Sequence, residues 1–340
     1  MNLTQIRDLI IRYRQLLIGA VLVIVGIVAI NLWLNWTNTA FGKLDKPTFP
    51  KVITSKPYWS SYNAIVPQVK SAKVFKLVKR SFSENEATEL ASDFGFLSKP
   101  KQSQGKEGRV SYWNSSGKEL TVFLDRGNVS FKDMNKLKEI FSAPSTAKLK
   151  TTELLAKAQE IVLKKKIVSK PMALGLGKTS FFNPTKDTLK YEGATSGEAS
   201  ATIMTIEYRR MLDKTPISSD QGEDLVTITL NKKGGLISLY YQSLNVEDVG
   251  AKYPLLNPEA ARKAISESQA IVVRYTSGEE GYIETKPDVV YVGKGSLKYY
   301  NDRRGSTIQP IFAFEANIAK NNKKYPVEVF LSAIDPKWFK

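Results

Sequence analysis

The 340-residue chain contains no cysteine and no histidine. Their absence excludes disulfides, thiolate chemistry, histidine metal ligands and histidine general bases. A body without disulfides must rest on an ordinary hydrophobic core, and about three hundred residues are ample for that, in two or three units. Charge is missing from one place as well: no charged residue occurs between Arg14 and Lys43.

Within that gap the run Leu16 to Trp36 is almost wholly apolar. As a helix it would rise about 31 Å, close to the hydrocarbon thickness of a bilayer. The run is longer than the apolar region of a signal peptide, and Asn38 and Thr39 before Ala40 make a poor cleavage site. The expectation is an uncleaved signal anchor over 16–36, after a short cytoplasmic tail over 1–15. Arg12, Tyr13 and Arg14 would flank one end, with Trp33 and Trp36 at the other headgroup layer. The flanking charges nearly tie under the positive-inside rule. Composition and the resemblance below favour a single-pass cell-membrane protein with its amino terminus inside and its bulk extracytoplasmic.

The formal net charge of +17 is concentrated in two stretches. Residues 41–80 carry nine Lys and Arg against one Asp, and residues 145–190 carry ten Lys against three acidic residues. Such runs are either solvated faces or contacts for a polyanion such as lipid headgroups or an anionic wall polymer. In the second stretch the candidate contacts are Lys148, Lys150, Lys164, Lys165 and Lys166. Nucleic acid is the weaker choice, because no recognition-helix, zinc-finger or RNP-type motif accompanies the lysines. In the first stretch Pro47, Pro50, Pro57 and Pro67 favour extended chain, so 37–68 reads as a Pro/Lys-rich stalk.

Past the stalk, KVFKLVKR reads as a strand and Ser83 with Glu86 as a capping box before a helix. GRVSYW, ELTVFLD and NVSF follow as short strands, giving a first α+β module over 69–142. A helix over about 151–166 opens a second module over 151–250. After a polar, glycine-containing loop or irregular strand, it continues with ATIMTIEYRRML, DLVTITLN and LISLYYQSL. Asn257 and Pro258 start a further helix, and DVVYVG, TIQPIFAFEAN and YPVEVFLSAI complete a third module over 251–340, packed with the second. The expected fold class is therefore α+β: an N-terminal single transmembrane helix followed by tandem helix-plus-antiparallel-sheet modules, with the helices on one face.

Motifs that carry chemistry are weak. Leu174-Gly175-Leu176-Gly177-Lys178-Thr179 imitates the end of a phosphate-binding loop, but Met172 stands where its first glycine is needed, and the stretch reads as a turn. Ser-x-x-Lys occurs at Ser103, Ser115 and Ser145; the last precedes a helix, so a Ser-Lys hydrolase with Ser145 as nucleophile is the remote alternative. The pairs Glu223-Asp224, Glu247-Asp248 and Glu279-Glu280 fall in turns or at strand ends, where adjacent carboxylates are solvated. No catalytic, cofactor-binding or metal-ligating set emerges.

Tyr253-Pro254-Leu255-Leu256, the helix with Glu259-Ala260-Ala261, the strand Ile308 to Glu315 and the strand Val327 to Ile334 form one further pattern. Together, over about 225–335, they resemble the YycH/YycI-type extracytoplasmic regulatory domains and their PepSY-like relatives. The resemblance implies a single-pass protein that performs no reaction and acts through protein contacts, on a membrane sensor or envelope complex. The alternative is an envelope scaffold or adhesion module gripping an anionic polymer or lipid headgroups through its lysine-rich segments.

Overall fold

The computed structural model describes residues 7, 13, 18, 21–28, 42–53, 55–79, 81–105, 108–142, 149–165, 167–168, 170–183, 198, 200–219, 222–276, 287–302, 304–320 and 323–340. Strand dominates them. Three short strands come first: β1 (Tyr58–Ser60), β2 (Ser71–Lys73) and β3 (Phe75–Lys79). The helix Glu84–Asp93 leads into β4 (Lys101–Gly105), β5 (Gly108–Ser115), β6 (Lys118–Phe123) and β7 (Asn128–Asp133). The helices Met134–Ser142 and Thr151–Lys164 precede β8 (Met172–Phe182), β9 (Ile203–Leu212), β10 (Thr215–Ser219), β11 (Gly222–Glu223), β12 (Leu225–Asn231), β13 (Leu236–Gln242) and β14 (Asn245–Glu247). The chain closes with β15 (Lys252–Pro254), the helix Pro258–Ser266, β16 (Ile271–Tyr275), β17 (Val289–Asn301), β18 (Thr307–Lys320) and β19 (Lys323–Ser332).

Seventeen of these strands belong to one continuous sheet, and β2 with β15 forms a separate pair. This corrects the expected fold class of an N-terminal transmembrane helix carrying separate modules. The physical reason lies in strand pairing. The expected first and second modules join edge to edge, because β7 pairs antiparallel with β13 (Phe131 opposite Leu239). That pairing satisfies two rows of backbone groups that separate modules would leave open. One limb of the sheet thus runs β4-β5-β6-β7-β13-β12-β9-β8, antiparallel throughout. In the second limb β17 pairs with β18, β18 with β19 and β19 with β16. Strand β10 joins the limbs: it forms a hairpin with β9 and lies parallel to the end of β17 (Ile217 opposite Tyr299).

Local elements follow from the residues. Ser83 and Glu86 form the capping box, and Asn257 accepts from the Ala260 N–H at 2.8 Å to start the helix at Pro258. In β12, Val226 and Ile228 are buried and alternate with half-buried Leu225 and Thr227, the period of a strand with one face on a core. Helices Glu84–Asp93 and Thr151–Lys164 share one core on one face of the first limb, with Leu90, Phe94, Leu154 and Val162 packed on Trp113, Phe131, Ile206 and Leu239. Helix Met134–Ser142 lies on the opposite face, where Leu137 meets Ile203 and Ile237. The helices therefore do not all share one face, as expected. The glycine-containing stretch expected as loop or irregular strand is β8, paired with β9 with a register shift between Leu176 and Lys178, and its Gly175–Thr179 part is not the turn expected there.

Among the described residues no helix is long and apolar enough to cross a membrane. Ile18 and residues 21–28 are helical; a span needs about 20 consecutive helical residues. That finding overturns the single-pass, signal-anchor localisation with an extracytoplasmic body. The rest of 16–36, with Arg12, Arg14, Trp33 and Trp36, lies outside the described residues.

Candidate functional site

The segment expected as a stalk is, from residue 42 onward, part of the second limb. Leu44 forms a parallel bridge with Phe339, its N–H donating to the Trp338 carbonyl at 2.8 Å. Gln309 donates to the Asp45 carbonyl at 2.9 Å, and the Tyr300 hydroxyl to the Thr48 carbonyl at 3.1 Å. Phe49 then covers one face of the sheet, its ring edge-on to Tyr300 (5.0 Å between centroids) and to Phe330 (5.7 Å). The opposite face carries the larger core, where Ala261, Ala264 and Ile265 of the Pro258–Ser266 helix meet Phe312, Phe314 and Val329. Prolines at 47, 50 and 57 keep the segment extended, but apolar Leu44, Phe49 and Trp59 bury it.

At Val52 this segment touches the outer edge of β16, donating to the Val272 carbonyl at 3.1 Å. Farther on, β1 runs parallel to β17 (Trp59 opposite Val290). Beside these two attachments opens a groove of about 460 Å³. One wall is Lys51, Ile53, Ser55, Lys56, Pro57 and Trp59; the other is Glu267, Ser268, Ala270, Ile271 and Val272. Buried Trp59 and Val272 contribute apolar surface, while Lys51 and Lys56 stand exposed. The Ser55 hydroxyl oxygen is buried in the lining without a hydrogen-bond partner among the described residues. The groove thus offers apolar contact, the two cations Lys51 and Lys56, and the exposed carboxylate of Glu267 on the opposite wall. These are the means of holding an extended chain.

A second cluster sits where the two limbs meet. Lys298 of β17 lies 3.4 Å from Glu223 and 2.9 Å from Glu328 of β19. Arg274 of β16 also pairs with Glu328, and Arg209 of β9 pairs with Glu223 at 2.5 Å. Gly222 is required here: a Cβ would stand 2.6 Å from the Arg274 guanidinium, and its φ of +120° disfavours any side chain. Beside this cluster Arg210 and Asp224 form a pair inside the sheet. The carboxylates of Glu223 and Asp224, expected as solvated, are thus a bridge between limbs and a core group. Their sequence signal was Arg209-Arg210, an adjacent cation pair on a strand of otherwise buried period. Asp248, from another expected solvated pair, meets Lys73 at 2.6 Å. Glu279-Glu280 lies outside the described residues.

Among the described residues, the sequence-derived contacts Lys150 and Lys164 stand at opposite ends of one helix. Tyr13 is exposed. Lys150 caps the helix Thr151–Lys164, its backbone N–H donating to the Glu153 carboxylate at 2.6 Å. Lys164 ends that helix, about 21 Å away along its axis. Lys165 stands 4.2 Å above the Phe94 ring and donates to the Asp93 carbonyl. Burial pushes its ammonium pKa down, as its stem lies along the Phe94 ring. Lys148, Lys166 and Ser145 lie outside the described residues. Compared with known proteins, the chain matches no family model and no curated protein.

Proposed function

We propose that this chain is a non-catalytic binding and regulatory protein that works through protein–protein contacts. It receives an extended segment of its partner in the groove beside β16. The observation that supports this reading most directly is the lining itself: an open trough of mixed apolar and polar surface in which Lys51 and Lys56 stand exposed on one wall. Extended peptides dock in such grooves through side-chain pockets and flanking charges. The lysines select a segment carrying acidic residues next to apolar ones. The likeness of residues 225–335 to YycH/YycI-type regulatory domains points the same way.

The test is selection from a displayed library of random extended peptides on immobilised protein, in parallel with a Lys51→Glu/Lys56→Glu variant. Acidic-apolar peptides should enrich on the parent and not on the variant. Equal enrichment on both, or none on either, rules the reading out.

A further inference from the structure

A branched sheet must deal with each of its open edges, and this one handles three of them differently. Strand β4, Lys101–Gly105, is exposed at every position and polar throughout, the composition that discourages pairing. The outer edge of β16 is engaged by Val52. Strand β8 has neither protection. It is 11 residues long, pairs with β9 alone among the described strands, and carries one charge, Lys178, opposite Glu207. In a chain of net charge +17, the cations beside this edge are engaged: Lys178 faces Glu207, Arg209 pairs with Glu223, and Lys232 stands over the Phe181 ring and donates to the Glu198 carbonyl.

The edge also leaves apolar surface unfinished. Leu174 and Phe181 pack against the first-limb core but remain only partly buried, whereas Met204 and Ile206 on neighbouring β9 are fully enclosed. Leu174 and Phe181 share the core face although an odd number separates them, because the register shifts between Leu176 and Lys178. Gly177 makes that shift: a Cβ there would stand 2.8 Å from the Glu207 carbonyl oxygen.

We propose that β8 pairs antiparallel with the β8 of a second copy of this chain, about a two-fold axis between Gly177 and Lys178. That register sets Leu174 of each copy opposite Phe181 of the other, on the same face, and completes the apolar layer from both sides. It also sets Leu176, 54% exposed, opposite Thr179. A second copy is the occupant that the charge favours. Two strongly positive molecules repel least where their cations are already engaged, whereas a partner attracted by charge would settle on the lysine-rich surfaces. The pairing closes at two copies, because it consumes both β8 edges and leaves the polar β4 edges outermost. This inference is independent of the groove beside β16.

The test uses the full chain and exploits its lack of cysteine. In Leu176→Cys/Thr179→Cys the two new thiols of one chain are about 10 Å apart along the strand, beyond the reach of about 7 Å between Cα atoms for a disulfide. Mild oxidation should therefore yield a disulfide-linked dimer, while a Gln102→Cys control on β4 stays monomeric. By sedimentation, Leu176→Lys/Thr179→Lys should weaken dimerisation at least about tenfold with unchanged circular dichroism. A monomer at all concentrations, a dimer indifferent to the lysine pair, or crosslinking through residue 102 overturns the proposal.

Discussion

Arg210 and Asp224 meet at 2.5 Å within the sheet, their side chains 0% and 4% exposed. Arg210 occupies a core position: Met204, Ile206, Tyr208 and Leu212, spaced by two along β9, are all buried. Its Nε and one Nη donate to the same Asp224 oxygen, and the strands also bond directly, Arg210 N–H to Asp224 carbonyl at 3.0 Å. Burial pushes the nearby Tyr241 hydroxyl pKa far up, a shift that the Arg210 charge moderates. Removing one ion strands the other in the interior. Arg210→Met and Asp224→Asn should each cost about 3–5 kcal/mol in urea unfolding. The double variant Arg210→Met/Asp224→Leu should recover most of that loss, since an apolar pair of similar volume restores a dry core.

The Lys73–Asp248 pair sets a different prediction, one of pH. Burial by itself raises the Asp248 carboxyl, but the Lys73 ammonium and the Gly250 N–H outweigh it and hold the pKa below the ordinary 3.8. A carboxyl lowered on folding stabilises the fold above its unfolded pKa, and that stability is lost as pH falls through the folded value. Its partner is raised above 10.5, chiefly by the hydrogen bond to Asp248, so the lysine's share persists until alkaline pH passes that higher value. Unfolding midpoints should therefore fall between about pH 5 and pH 2 more steeply in the parent than in Asp248→Asn. Equal slopes would show that the pair does not stabilise the fold.

Phe49 anchors the incoming segment through its edge-on contacts with Tyr300 and Phe330, which themselves lie 5.7 Å apart. Phe49→Ala should cost about 3 kcal/mol and lower the thermal midpoint. The same variant should speed proteolysis within 42–53, which a loss of packing elsewhere would not do.

Ser268 follows the Pro258–Ser266 helix with φ +61°, a left-handed conformation that favours glycine. Ser268→Gly should stabilise the protein by about 0.5–1 kcal/mol. Because Ser268 also lines the groove, peptide binding measured in parallel reports whether its side chain contributes to that site.

What was legible in the sequence was local. Capping by Ser83 and Asn257, the alternation in Val226 to Leu230 and the strands around Phe131 and Leu239 follow from short-range rules, and the structure agrees with them. What was not legible was which edge meets which: nothing in NVSF or LISLYYQ specifies that Val129 lies opposite Tyr241. That pairing turns expected modules into one sheet. The apolar content of residues 42–68 was masked by proline and lysine, so Leu44 and Trp59 read as linker though both are core. The Gly175–Gly177 motif read as a turn for the opposite reason, since glycine marks turns more often than bulges, and only the irregular-strand reading of the wider stretch agrees with the structure. Of the groove only its cations were visible in advance, because Glu267 and Val272 reach it through the chain's return.

The bridge between Leu44 and Phe339 has a consequence for biogenesis. Leu44 emerges from the ribosome well before the backbone groups that receive it, which lie far downstream at Trp338 and Phe339. Until then Phe49 and Trp59 have no completed surface to enter, and the aromatic side chains of the C-terminal strands stay bare on that side. This half of the molecule therefore closes only once Trp338 and Phe339 have emerged, and a nascent chain halted shortly before Trp338 would present chaperones with an open, sticky sheet.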